Sequence, residues 1–185
     1  MKIITNILIL FGSFFILSAC SSDDDGSPDI PGEHNGSVSF QVSGEVEGEY
    51  SGIADFRAFE MSGIHTWDIT MLDQDPITFS VSFTQVGNEP IDRPETGTYE
   101  LGINPGNQLD DIYMASFEYY VDGPFQSDSY TVGIGDTTGE LEITSSSDER
   151  IEGNFSFTAV RLDDEGNLGE TISVTDGEFS AVPRQ

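Results

Sequence analysis

An all-β domain of about ten strands, closed as a barrel or folded over as a sandwich, is the architecture this sequence predicts. The first observation is composition. Between residues 20 and 185 the strand formers Val, Ile, Thr, Phe, Tyr and Trp number 52, whereas Ala, Leu and Lys together number 11, and a helical domain inverts that ratio. The second is period: Val38, Phe40 and Val42 alternate with Ser and Gln, and Ile77, Phe79, Val81 and Phe83 alternate with Thr and Ser, so each run has one apolar face. The third is punctuation. Short turns, such as 135–139 (Gly-Asp-Thr-Thr-Gly) and 145–149 (Ser-Ser-Ser-Asp-Glu), make consecutive strands antiparallel neighbours in a single meander.

The sequence is expected to divide into a signal peptide over 1–19, an acidic linker over 20–36, on whose first residue the lipidation argued below falls, and the β domain over 37–185. Lys2 precedes an apolar run from Ile3 to Leu17, which ends in Leu17-Ser18-Ala19-Cys20. A charged start, an apolar middle and small residues make a secretory signal, and the run is shorter than the roughly 20 residues of a spanning helix. With a cysteine directly after the small residues, the tetrapeptide resembles the bacterial lipobox. That resemblance implies lipidation of Cys20, with acyl chains such as palmitate making the membrane a partner, and two or more chains anchor stably. Cys20 is the sole cysteine, so the domain has no disulfide and folds on packing alone.

Ser21, Ser22, Asp23, Asp24 and Asp25 follow. This Ser-plus-acid cluster resembles the surface-export signal of Bacteroidota lipoproteins, which implies an outer-membrane protein on the cell surface. Residues 26–36 lack periodicity and are rich in Pro and Gly, so they read as a tether that includes His34.

Within the domain, strands are expected near 37–44, 46–56, 64–72, 77–85, 97–103, 111–120, 128–135, 138–146, 149–161 and 171–181. In the third, His65, Trp67, Ile69 and Met71 share a face, which puts His65 at the rim of the core above a buried tryptophan. The segment 88–97 is long and stiffened by Pro90 and Pro94, a candidate recognition loop. Strand 112–120 begins apolar on both faces, suiting a covered strand, a partner surface or a ligand wall. Phe125, in the loop after it, reads more readily as a staple to the core than as a ligand contact.

The last two strands contain Gly153-Asn154-Phe155-Ser156-Phe157 and Val174-Thr175-Asp176-Gly177-Glu178-Phe179. This pair resembles the C-terminal signature of an uncharacterised family of Bacteroidota outer-membrane lipoproteins, which implies fold and location but carries no activity. Physically, Phe155, Phe157, Ile172, Val174 and Phe179 are expected in the core, and Gly153 and Gly177 at a bulge or close backbone approach. The lipocalin Gly-x-Trp signature is absent from the first strand.

Charge excludes more than it assigns. From residue 20 onward, 34 acids face 5 arginines and no lysine, a formal charge of −29. Such a surface repels phosphates, so no nucleic-acid partner is expected. Without lysine there is no Schiff base, no Walker phosphate loop and no Ser-x-x-Lys pair. A multi-histidine zinc site is excluded with His65 alone in the domain, and no Gly-x-Ser-x-Gly elbow occurs. The acidic segment 163–170 offers carboxylates to calcium but misses the EF-hand spacing; the alternative is a solvated hairpin loop. The expectation is a non-enzymatic binding or interaction module without cofactor, whose ligand is a glycan, a small apolar molecule or an envelope protein. The alternatives are a structural component of an envelope complex and a carboxylate-based glycan hydrolase.

Overall fold

The computed structural model describes residues 36–73, 76–103, 112–121, 125–163 and 165–184. The signal segment, Cys20, Ser21, Ser22, Asp23, Asp24, Asp25 and the linker as far as residue 35 lie outside the described residues. Ten strands follow in order: β1 (Ser37–Gly44), β2 (Gly48–Met61), β3 (Ile64–Leu72), β4 (Phe79–Gly87), β5 (Gly97–Leu101), β6 (Ile112–Tyr120), β7 (Ser127–Thr131), β8 (Gly139–Ser146), β9 (Ile151–Leu162) and β10 (Leu168–Pro183).

All ten belong to one sheet, and each pairs with a neighbour on both sides. The sheet therefore closes into a ring without an edge strand, which deals with edge-to-edge association more completely than surface charge can. At the end that holds the β1–β2 hairpin, β1 lies between β10 and β2, and β7 lies between β6 and β9. At the opposite end β10 meets β2 directly, and β5 and β8 fill the space between β6 and β9. One level thus reads β10-β1-β2-β3-β4-β6-β7-β9 and the other β10-β2-β3-β4-β6-β5-β8-β9, the same girth at both ends.

Antiparallel ladders dominate, as short turns dictate. Two short parallel ladders depart from a pure meander: Val182 and Pro183 against Asp55 and Phe56, and Glu100 and Leu101 against Ile112 and Tyr113. Both join strands that no hairpin connects, so they arise from closing the ring. β2 also runs on to Met61, past the expected end near 56, and forms with β3 a hairpin around Ser62 and Gly63, both at positive φ.

The interior is filled by rings. Phe40 packs edge-on against Phe79 with centroids 5.1 Å apart, and Phe83 edge-on against Phe155 at 5.2 Å. Each such pair contributes about 0.5–1.5 kcal/mol beyond the area it buries. Phe155, Phe157, Ile172, Val174 and Phe179 are all buried, as the alternation predicts. A bulge falls between Val174 and Gly177, where a Cβ on Gly177 would sit 2.6 Å from the Phe155 ring. β6 proves one-sided: Tyr113, Ala115 and Phe117 are buried while Met114 is exposed. Phe125 is 99% exposed, so the expected staple does not form.

Candidate functional site

The barrel end at which β10 meets β2 gathers cations in an otherwise anionic domain. Four of the five arginines, Arg57, Arg93, Arg150 and Arg184, come to it from β2, the 88–96 loop, the β8–β9 turn and the end of β10. Between them lies a concavity of about 370 Å³, lined by Phe56, Trp67, Arg57, Arg93, Asp148 and Arg184, with Ala58 and Pro183 completing it. Phe56 and Trp67 stack at 5.2 Å and form its apolar floor.

Each cation is held by a carboxylate or hydroxyl. The Arg184 amide donates to the Phe56 carbonyl at 2.9 Å, which fixes the chain end, and its guanidinium then donates through Nε (2.7 Å) and reaches through Nη2 (2.5 Å) to Asp55 Oδ1. Asp68 is buried on the outer face of β3 and accepts from the hydroxyls of Thr70 and Thr84, both at 3.0 Å, with Arg57 Nε 3.5 Å away. These partners let two carboxylates lie almost out of water. Arg93 Nε donates to Ser146 Oγ at 3.0 Å, and its Nη1 pairs with Asp148. Ser146 Oγ in turn donates to the Pro94 carbonyl at 2.6 Å, so the two-proline loop is pinned to the barrel rim. Arg150 reaches Ser180.

The expected recognition loop and the His65–Trp67 face thus come to one end. His65 is half-buried, opposite Glu60 and Gly87 in the ladders, and Trp67 is buried as expected. Wider depressions, of which one is about 690 Å³, run along the outer faces of β8, β9 and β10, but Thr, Ser and Glu side chains dominate them and no cation lines them.

The opposite end is organised differently. Arg161 of β9 pairs with Asp128 of β7 at 2.9 Å and with Glu170 of β10, and these bonds, that to Glu170 above all, raise its already high pKa. In the segment 163–170 Asp163 Oδ1 accepts from the amides of Glu165 (2.9 Å) and Asn167 (2.8 Å). Asn167 Nδ2 donates to the same carboxylate, which holds Asp163 below the usual carboxylate range. Asp163 therefore organises its own hairpin loop, and among the described residues no three His, Cys, Asp or Glu side chains group as a metal site.

Sequence reasoning named the loop and the tryptophan but missed the arginines. The only signal available was their scarcity, because their convergence depends on which strands the ring closure brings together.

The family model described as Domain of unknown function (DUF6252) matches residues 73–183, which covers β4 to β10. No curated protein and no solved structure matches the chain.

Proposed function

The chain belongs to the family described as Domain of unknown function (DUF6252), and from that premise we propose that it is a non-enzymatic binding module, lipid-anchored through Cys20 and displayed on the surface of the outer membrane. The observation that carries the binding role is the mouth itself: three arginine residues and a stacked Phe56–Trp67 pair line one concavity, in a domain with few cations. Small-ligand sites favour barrel mouths, with an apolar floor and a few convergent polar groups. The lipobox and the acidic residues after it support the anchor and the address.

The test is thermal unfolding of the Cys20→Ser chain, expressed from residue 20, against glycans, small apolar molecules and divalent ions at fixed ionic strength. A ligand at a hundred times its dissociation constant adds about 2.7 kcal/mol, a shift of several degrees for a domain of this size. A flat panel defeats the small-ligand role. The anchor is tested in cells: Cys20→Ala should move the protein out of the membrane fraction, and protease added to intact cells should remove the wild type.

A structural role in an envelope complex is favoured by one other feature, the tip of the β2–β3 hairpin. Phe59, Met61 and Ile64 are exposed there, with Met61 opposite Ile64 in the ladder. Crosslinking from that tip on intact cells that returns no neighbour counts against this second reading.

A further inference from the structure

We infer that the mouth between β2, β10 and the 88–96 loop takes its ligand by a carboxylate, which replaces Asp148 on the Arg93 guanidinium. The inference rests on the reading of that mouth as a binding site and adds the chemistry of what enters it. Arg93 is oriented from behind, by Nε donating to Ser146 Oγ, so its outer nitrogens face the concavity without depending on Asp148. Asp148 itself is a poor fixture. Its side chain is 97% exposed on the β8–β9 turn, and an ion pair with one partner fully in water contributes little and exchanges readily.

The other two cations differ in how firmly they are held. Arg184 is committed to the buried Asp55, so its charge is already matched and it serves as a fixed part of the wall. Arg57 lies over the Phe59 ring with CZ 4.6 Å from its centroid, and its one ion pair among the described residues is the long contact to Asp68. A carboxylate bound to Arg93 enters a concavity that Arg57 and Arg184 also line, whereas Asp148 reaches Arg93 from the solvent side. A planar guanidinium fork recognises a carboxylate in two parallel bonds, and the Phe56–Trp67 floor takes the ring that carries it. The shared chemistry is therefore a single-ring carboxylate, either a sugar acid or an aromatic acid.

Trp67 is the only tryptophan in the chain, so its fluorescence reads the mouth directly. The Cys20→Ser chain is titrated with galacturonate, benzoate and neutral galactose at pH 7 and 0.1 M salt. At least one carboxylate should change Trp67 emission saturably while galactose does not, and which of the two acids binds tells sugar from aromatic. Asp148→Asn removes the competing anion and should tighten that binding several-fold. Arg93→Gln should weaken it tenfold or more, and Arg161→Gln, at the other end of the barrel, should leave it unchanged. Unfolding midpoints of all three variants show that each is folded. Galactose binding that equals galacturonate binding and is lost in Arg93→Gln overturns the carboxylate exchange and leaves the mouth a binding site, as does weaker binding by Asp148→Asn. Silence of every probe with both wild type and Asp148→Asn overturns the exchange, and the mouth reading falls with it if the wider panel is flat as well.

Discussion

Gly133 lies against Gly102 where the seam between β5 and β7 closes: a Cβ on Gly133 would fall 2.7 Å from the Gly102 Cα and 2.4 Å from the Ile103 nitrogen. Gly133 also has φ of +85°. Gly166 has nearly the same φ, +82°, but nothing lies within 4 Å of its missing Cβ. The two glycines separate strain from space. Gly166→Ala should cost about 1 kcal/mol, the left-handed penalty alone, and Gly133→Ala more than about 2 kcal/mol because a backbone clash adds to it. Urea unfolding of the two variants checks the difference, and equal costs would show that the seam has room.

Arg184 pairs with Asp55, whose side chain is only 10% exposed. Arg184→Ala should cost about 1–3 kcal/mol, since it takes a charged partner from a carboxylate that the fold keeps from water. Arg184→Ala combined with Asp55→Ala should cost less than the sum of the two single changes, and a double-mutant cycle measures that coupling.

The tyrosines set an alkaline limit. Burial raises the pKa of Tyr50, Tyr113 and Tyr130, and Tyr120 is pushed up to about 12 by burial and by its hydrogen bond to Glu118. The unfolded chain loses these protons near pH 10 and the folded chain later. The folded state thus binds more protons between the two values, and the stability this provides is complete below pH 10 and lost as pH rises toward about 12. Thermal midpoints should fall steeply over that interval. Tyrosinate absorbance of the folded protein should lag behind that of the urea-unfolded chain.

Like charges dominate everywhere but the arginine mouth, so screening should stabilise the fold. The melting temperature should drop below roughly 50 mM salt, where the screening length exceeds about 10 Å, and recover as sodium chloride is added. A midpoint indifferent to salt contradicts this.

Much of the barrel was legible in the sequence because one face of each strand is buried. Val38, Phe40 and Val42 point inward, and Phe79, Val81 and Phe83 do the same. The extension of β2 was not legible, because Phe59 and Met61 point outward and invert the usual apolar-inside rule. Phe125 misled for a similar reason, since an aromatic residue in a loop carries no periodicity to say which way it faces. The parallel ladders and the arginine mouth were hidden by distance along the chain. Arg184 and Asp55 are separated by 129 positions, and no local pattern encodes that meeting.

β10 borders β1, β2 and β9, so strands from the two ends of the domain share one seam. Contacts of such long sequence separation make folding slow, because a large loop must close before the pairing stabilises anything. During synthesis the seam stays open until Val182 and Pro183 have emerged, and β1, β2 and β9 wait with an unpaired side. The acids on that nascent chain then act as a solubiliser, holding copies apart during the one interval when the protein has edges to offer.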